Sequence, residues 1–271
     1  MRSGRRAFAR PGWVSLAGAL VLAALRPVSL AAAEPPCPAS HTQHLDLHAT
    51  RTALTHNEAV TIVAFGSSST EGIGATTPAR TYPARLEAWL RARWPGSRIR
   101  VLNRGIGGQT AHEMLARLDA DVLAAKPTLV IWQVGANAAL RGLDPVAFAT
   151  FLSSGTKRIL ASGADLVLMD NQIAPKIQRV VHSGTYGEIL AREATSRGAS
   201  VFSRTALMQE WRKADPSAHD MIGPDGLHHT DRGYACLAAS LGRAINDAVG
   251  QLPVTVTAGV SGGAIRASAN R

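Results

Sequence analysis

The 271-residue chain has little of what several common functional classes require. Aromatic residues make up 5% of it, and its basic residues are not interleaved with an aromatic platform, so nucleic-acid binding is not indicated. No P-loop is present. The glycine-rich segment 105–110 lacks the last glycine of a dinucleotide fingerprint. In segment 66–70, Thr70 stands where a Gly-x-Ser-x-Gly elbow needs glycine. We therefore expect no nucleotide cofactor and no nucleic-acid partner.

The sequence also lacks a complete set of metal ligands. Two groups of residues carry suitable side chains, but histidines in a polar segment are usually just solvated, and neither group makes a full coordination set. The first group is His41, His44, Asp46 and His48, and the second is Asp225, His228 and His229. We therefore expect neither a metal nor another cofactor.

Residues 1–33 have the pattern of a secretory signal peptide. Basic residues precede an apolar run at 13–25 that is too short to span a membrane, and three alanines at 31–33 offer a cleavage site. Arg5 and Arg6 also fit a twin-arginine signal, so the Sec and twin-arginine routes both stay open. We expect a periplasmic or extracellular protein without a stable membrane anchor after cleavage. An uncleaved anchor is the alternative.

The formal charge and the two cysteines fit that interpretation. The charge of +10 falls to about +5 once this leader, with five basic residues and no acidic one, is removed. Cys37 lies near the mature N-terminus and Cys236 in the last predicted helix. An exported protein can oxidise such a pair, so we predict a disulfide that ties the N-terminal arm to this helix. Two unrelated thiols are the alternative.

Strands and helices alternate along one predicted domain at 58–249. A polar, His-rich arm at 34–57 precedes it, and a flexible tail at 250–271 follows it. Apolar, branched runs predict strands at 59–65, 99–102, 129–134, 165–169 and 199–202. Helices are predicted at 82–94, 111–125, 145–161, 187–197 and 231–249, the last with Asp231 as its cap. This order predicts a doubly wound, flavodoxin-like α/β domain with three layers and a mostly parallel sheet of about five strands.

Three polar segments follow the first three predicted strands, and ligands of such sheets bind beyond the carboxyl ends of the strands. Ser68 follows the first strand on a turn that begins with glycine, where its hydroxyl can be exposed as a nucleophile. Ser67 and Ser69 are rival nucleophiles by composition. Gly108 follows the second strand and Asn137 the third. The backbone N–H groups of Ser68 and Gly108 and the amide of Asn137 are candidate donors to an oxyanion.

A fourth segment lies just before the last helix and supplies a base. Asp225 precedes His228 by three residues, a spacing in which the carboxylate can orient the imidazole and stabilise its charged form. His228 can then act as general base and afterwards as general acid. His229 is a competitor with a less familiar spacing from Asp225.

Together these segments resemble the SGNH (GDSL-type) hydrolase superfamily of esterases and lipases, over roughly residues 59–249. The segment NRGIGG at 103–108 is similar to the second block of that family. The resemblance implies that Ser68 is the nucleophile, that Asp225 and His228 complete the triad, and that Ser68, Gly108 and Asn137 form the oxyanion hole. The chain departs from the family in three places: Ser67 replaces the usual aspartate before the nucleophile, Ala138 replaces an aspartate, and His229 replaces a proline.

The sequence therefore predicts an exported serine esterase that cleaves carboxylic esters through an acyl-enzyme on Ser68. Short acyl groups, and esters carried on carbohydrate, are the expected substrates. Segment 170–186 is expected to wall the pocket, where Lys176, Arg179 and Tyr186 either meet a polar ligand or are simply solvated. Two alternatives remain: an O-acyltransferase that uses the same residues on a sugar, and a non-catalytic carbohydrate-binding protein.

Overall fold

The computed structural model describes residues 36–216 and 219–250. The predicted signal peptide at 1–33 lies outside the described residues, as does the predicted tail beyond residue 250. The strands are β1 (Val60–Gly66), β2 (Ile99–Gly105), β3 (Leu129–Gln133), β4 (Asp165–Met169) and β5 (Ser200–Phe202). The helices are α1 (His48–Thr55), α2 (Ser68–Glu71), α3 (Tyr82–Arg93), α4 (Ala111–Ala116), α5 (Leu118–Asp121), α6 (Ala136–Leu140), α7 (Pro145–Ala161), α8 (Pro175–Gln178), α9 (Thr185–Arg197), α10 (Arg204–Ala214) and α11 (Asp231–Val249).

The five strands form one parallel sheet in the order β2-β1-β3-β4-β5. This order has a switch point between β1 and β3, the place where doubly wound sheets open a crevice for ligands. The register pairs Gly66 with Gly105, so β1 and β2 end side by side. The predicted α/β fold with a parallel five-stranded sheet is confirmed.

Apolar side chains cover both faces of the sheet. Ile62 and Ala64 of β1 pack in a core with α3 and α11, whereas Val63 and Phe65 point into a second core with α4, α7 and α9. Strands buried on both faces read as continuous apolar runs, which is why the central strands were recognisable from the sequence. The resulting three layers are those that the sequence predicts. Among the described residues, no helix combines the length and apolar character that crossing a bilayer requires.

Two helical predictions need correction. The helix predicted at 111–125 is broken, because Arg117 leaves the helical conformation between α4 and α5 (φ −112°, ψ 5°). The cap of α11 is Thr230, whose hydroxyl accepts the Gly233 N–H at 3.2 Å. Asp231 instead accepts hydrogen bonds from Thr76 at 2.9 Å (N–H) and 2.6 Å (hydroxyl), and so ties the loop after α2 to α11.

One aspartate ties the helix of the N-terminal arm to the domain. Residues 48–55 of the arm form α1, which the sequence did not predict. The carboxylate of Asp165, at the start of β4, accepts hydrogen bonds from the N–H groups of Ala49 and Thr50 at 3.0 and 2.7 Å. A carboxylate at the first turn satisfies free N–H groups and complements the helix dipole. Leu45 and Leu47, just before α1, are buried in the core of α3 and α11.

The predicted disulfide is confirmed. Cys37 of the arm is bonded to Cys236 of α11, with 5.4 Å between the two Cα atoms. Cys236 is fully buried and Cys37 packs against the same core. The bond spans a sequence separation of 199 residues, so it connects the two ends of the described chain.

The substitution Cys37→Ala should lower the free energy of unfolding by about 2–5 kcal/mol, because the crosslink no longer restrains the unfolded chain. Urea denaturation of both proteins, with and without a reductant, measures this. The reductant should destabilise the wild type and leave the variant unchanged. Two titratable thiols in the denatured, unreduced wild-type protein would contradict the disulfide.

Candidate active site

The turn after β1 exposes one serine of three. Ser67 and Ser69 are buried, with 3% and 2% of their surface exposed, whereas Ser68 is half-buried and opens α2. Glycine is required at position 66, because a Cβ there would lie 2.2 Å from Oγ1 of Thr70. The tight turn therefore presents the hydroxyl of Ser68 and turns those of its neighbours inwards.

Gln133, the last residue of β3, holds this turn from below. Its side chain is fully buried. Its Oε1 accepts hydrogen bonds from the N–H of Ser67 at 3.0 Å, the hydroxyl of Ser67 at 3.1 Å and the hydroxyl of Thr70 at 3.3 Å. The hydroxyl of Ser67 is thus engaged with Gln133, which leaves Ser68 as the candidate nucleophile.

The loop after β2 packs directly against α2. The N–H of Ile106 donates to the carbonyl of Gly66 at 3.1 Å. A Cβ on Gly105 would lie 2.0 Å from the backbone nitrogen of Glu71, so the two backbones meet where only glycine fits. Gly108 adopts a positive φ of 77°, which glycine reaches without strain. This packing brings the candidate oxyanion donor Gly108 to the side of the nucleophile turn.

The third loop adds Asn137, the second residue of α6. Its Nδ2 donates to the carbonyl of Gln109 at 2.8 Å, which ties Asn137 to the residue after Gly108. A side-chain amide carries two hydrogens, so one remains to act as a donor. Ser68 opens α2, and the first N–H groups of a helix have no acceptor within it. The three predicted oxyanion donors therefore lie on adjoining loops at one sheet edge.

His228 lies between Ser68 and Asp225. Its Nε2 is 2.8 Å from Oγ of Ser68, and its Nδ1 is 2.5 Å from Oδ2 of Asp225. Oδ1 of Asp225 also accepts the backbone N–H groups of Leu227 and His228, both at 3.0 Å. The structure thus brings the predicted serine, histidine and aspartate into one hydrogen-bonded chain.

The charge state of Asp225 suits that position. Burial raises the pKa of its carboxyl, but hydrogen bonds from the Leu227 N–H and from the ring and N–H of His228 outweigh burial, so the pKa lies below its ordinary value. Asp225 therefore stays ionised at neutral pH. An ionised acceptor at Nδ1 keeps the proton on that nitrogen and leaves Nε2 free to accept one from Ser68.

His229, the rival base, is committed to the interior. Its ring is fully buried, with Nδ1 3.0 Å from the carbonyl of Met221 and an edge-on contact with Tyr234. Burial, aided by the positive charge of Arg204, lowers the pKa of His229 from 6.5 to about 3. A neutral imidazole held in the core is a structural group rather than the partner of Ser68.

The other sequence candidates separate from this site. Within residues 36–216 and 219–250, no cluster of three or more His, Cys, Asp or Glu side chains could hold a metal. His41 instead bonds Glu210 through Nδ1 at 3.0 Å. In segment 170–186, Lys176 and Arg179 are exposed, and Tyr186 donates its hydroxyl to the carbonyl of Leu143 at 2.5 Å. Tyr186 therefore supports the fold and is neither solvated nor free for a ligand.

A pocket of about 370 Å³ adjoins the oxyanion loops. Arg141 links it to them, because the guanidinium donates to the carbonyl of Gly108 at 2.6 Å. Apolar side chains, including Leu143, Phe148 and Phe151, form much of its lining, and Glu113 and His112 form a polar edge.

Two buried or half-buried side chains of this region were missed from the sequence. Gln133 is a polar residue at the end of an apolar strand, which is the one signal that could have marked it. Arg117 lies in what reads as a helix, and nothing in the sequence indicates its contacts with the loops.

Three similarities to known proteins bear on this site. The sequence profile of the non-GDSL lipase-like family matches residues 34–251. Esterase TesA of Pseudomonas aeruginosa is 30% identical over 173 residues, which cover 63% of this chain and 80% of TesA. An acetylxylan esterase of Geobacillus stearothermophilus is 38% identical over 80 residues, 29% of this chain and 36% of that enzyme.

Solved structures show the same fold. A two-domain esterase active on acetylated mannans superposes with a TM-score of 0.65 at 21% identity, covering 79% of this chain and 58% of that one.

The two adjacent histidines should respond differently to substitution by glutamine. His228→Gln should lower kcat for p-nitrophenyl acetate by about 10⁴-fold or more, because the serine loses its base. His229→Gln should keep kcat within a few-fold. Wild-type stability should fall as the pH drops from about 6.5 towards 3, because the unfolded chain protonates His229 and the folded one does not. His229→Gln should lack that part of the acid sensitivity in pH-dependent urea denaturation. Loss of kcat in His229→Gln alone would reverse the assignment.

Proposed function

Because the chain belongs to the non-GDSL lipase-like family within the SGNH hydrolase superfamily and is an ester hydrolase, we propose that it is a serine esterase with Ser68 as its nucleophile. The observation that carries the proposal is the chain of hydrogen bonds from Oγ of Ser68 through His228 to Asp225, at 2.8 and 2.5 Å. A serine hydroxyl becomes a nucleophile when a neighbouring base removes its proton, and the triad is recognised by this geometry.

In the acylation step, Nε2 of His228 takes the proton of Ser68 as Oγ attacks the ester carbonyl. The C–O π electrons move to the carbonyl oxygen, which becomes the oxyanion of a tetrahedral intermediate. The N–H groups of Ser68 and Gly108 and the amide of Asn137 stabilise that charge. The intermediate collapses, the bond to the alcohol oxygen breaks, and His228 gives its proton to the leaving alcohol.

Deacylation repeats these roles with water. His228 removes a proton from a water molecule, which attacks the acyl carbonyl of Ser68. The same donors stabilise the second oxyanion. The Ser68 ester bond then breaks, His228 returns its proton to Oγ, and the carboxylic acid leaves. Asp225 stays ionised throughout and stabilises the imidazolium that forms twice per turnover.

We propose short acyl esters as the substrates, among them esters carried on carbohydrate. The pocket of about 370 Å³ is lined by Thr110 and Arg141, next to the oxyanion loops, and not by Ser68 or His228. Its partly apolar lining has room for a short acyl group. The similarity to Esterase TesA supports an ester substrate, and the similarity to an acetylxylan esterase supports an ester carried on carbohydrate.

We propose that the protein works outside the cytoplasm. The predicted signal peptide at 1–33 supports export. The disulfide between Cys37 and Cys236 supports it as well, because such bonds persist in oxidising compartments.

Hydrolysis of p-nitrophenyl acetate by the mature protein and by Ser68→Ala tests the serine mechanism. We expect kcat to fall by about 10⁴-fold or more in the variant, because the covalent step is lost while the oxyanion donors remain. The melting temperature of Ser68→Ala should match that of the wild type, since only one oxygen of a half-buried side chain is removed. Wild-type turnover by this variant would refute Ser68 as the nucleophile.

The same assay with an oligosaccharide added separates hydrolysis from transfer. We expect mass spectrometry to show free acetate as the product and no acetyl group on the sugar. An acetylated sugar as the main product would identify an acyltransferase. Inactivity of the wild type on several esters would favour a binding protein.

A further inference from the structure

Arg117 interrupts the helix that the sequence predicts and turns its side chain towards the candidate active site. Its side chain is 13% exposed, and the guanidinium lies over the ring of Phe65, with Cζ 4.6 Å from the ring centroid. Phe65 is the residue before Gly66, at the end of β1. The side chain thus lies under the nucleophile turn. Among the hydrogen bonds of the described residues, none joins Arg117 to Ser68 or His228.

The guanidinium joins the ends of β1 and β2. Its Nη2 donates to the carbonyl of Gly66 at 3.0 Å, and its Nη1 donates to the carbonyl of Arg104 at 3.0 Å. Gly66 and Arg104 immediately precede the nucleophile turn and the glycine loop, respectively. Nη1 also bonds Oδ2 of Asp121 at 2.8 Å, which balances the charge of the guanidinium. A planar group with five N–H donors can serve these separate acceptors at once.

The Nε donor of Arg117 holds Gln109. Nε donates to Oε1 of Gln109 at 2.6 Å. Gln109 follows Gly108 directly, and its own carbonyl accepts Nδ2 of Asn137 at 2.8 Å. Arg117 thus fixes the side chain of Gln109. Gln109 in turn links Gly108 and Asn137, the two oxyanion donors that lie outside the nucleophile turn.

We propose that Arg117 is a positioning residue that sets the oxyanion hole by fixing Gln109 between Gly108 and Asn137. It acts through hydrogen bonds to the loops and touches no reacting atom. This inference rests on the proposed function, in which Gly108 and Asn137 stabilise the oxyanion. Displacement of such donors by about 1 Å can cost about 100-fold in rate without a matching loss of ground-state binding.

The variant Arg117→Lys keeps the positive charge but loses the planar guanidinium, whose N–H donors reach several acceptors at once. We expect kcat for p-nitrophenyl acetate to fall about 10- to 100-fold, with KM within about threefold of the wild type. Gln109→Leu removes the acceptor of Nε and leaves the backbone in place, so it should lower kcat in the same way. The double variant should be no slower than the slower single variant, because both substitutions break one path.

The matched control is Arg197→Lys. Like Arg117, Arg197 bonds an acidic residue four positions away, Glu193, at 3.1 Å and has a second contact with the hydroxyl of Ser153. It lies at the end of α9, away from the loops, so kcat should remain at the wild-type value. In Arg117→Ala, added guanidinium should restore part of kcat, whereas it should not affect Asn137→Ala.

The single variant Asn137→Ala separates this inference from the proposed function. Its kcat should fall about 10²–10³-fold if the amide stabilises the oxyanion. An unchanged kcat in Asn137→Ala would refute the proposed oxyanion role itself. A slow Asn137→Ala beside a wild-type kcat in Arg117→Lys and Gln109→Leu would overturn only the role of Arg117. The role of Arg117 would also be overturned if kcat of the double variant fell by the product of the two fold-changes that Arg117→Lys and Gln109→Leu cause singly. Should Arg117→Lys fail to fold, Gln109→Leu alone decides, with a normal kcat refuting the inference.

Discussion

The parallel register of β1 with β2 and β3 is the constraint on which the candidate site depends. Each of these strands is followed by one loop of the site, and their shared direction places all three loops at one edge of the sheet. The pairing of Gly66 with Gly105 places the first two loops side by side, and a Cβ on Gly105 would collide with the backbone of Glu71 in α2. The helix α11 then fixes the fourth loop, which carries Asp225 and His228. The site is thus a consequence of sheet topology and close backbone packing.

The three departures from the family pattern are each accommodated by their surroundings. Ser67, in place of an aspartate, bonds the buried amide oxygen of Gln133 through both its N–H and its hydroxyl. Ala138 is 1% exposed and packs in the core of α4, α7 and α9, where an aspartate would bury a charge. His229 is held neutral against Met221. Each of these three residues has contacts of its own in the interior, and the reacting groups stay in place.

The sequence reveals those parts of the molecule that depend on local pattern. The strands β3, β4 and β5 are largely apolar because both faces of the sheet are covered. The start of α7 is marked by Asp144 and Pro145. The bounds of these four elements could therefore be predicted within a residue or two. The helix α1 could not, because its first turn is stabilised by Asp165, a residue more than 100 positions away. The side chain of Arg117, at the break between α4 and α5, likewise bonds groups that are not its neighbours in sequence, the carbonyls of Gly66 and Arg104.

The candidate site divides in a similar way. The residue types and their order predicted Ser68, His228 and Asp225, since an ester-cleaving triad needs those groups. The choice among three adjacent serines could not be made from composition, because it depends on which hydroxyls Gln133 engages and which the turn exposes. The choice between two adjacent histidines likewise required burial, which separates His229 from solvent and leaves His228 beside the serine.

Covalent labelling with a fluorophosphonate, located by peptide fragmentation, tests the central claim most directly. The hydrogen-bonded chain from Ser68 to Asp225 predicts one adduct per molecule, on Ser68, and its loss when the protein is unfolded before labelling. An adduct on Ser67 or Ser69, or equal labelling of folded and unfolded protein, would contradict the claim that the fold activates Ser68 through His228.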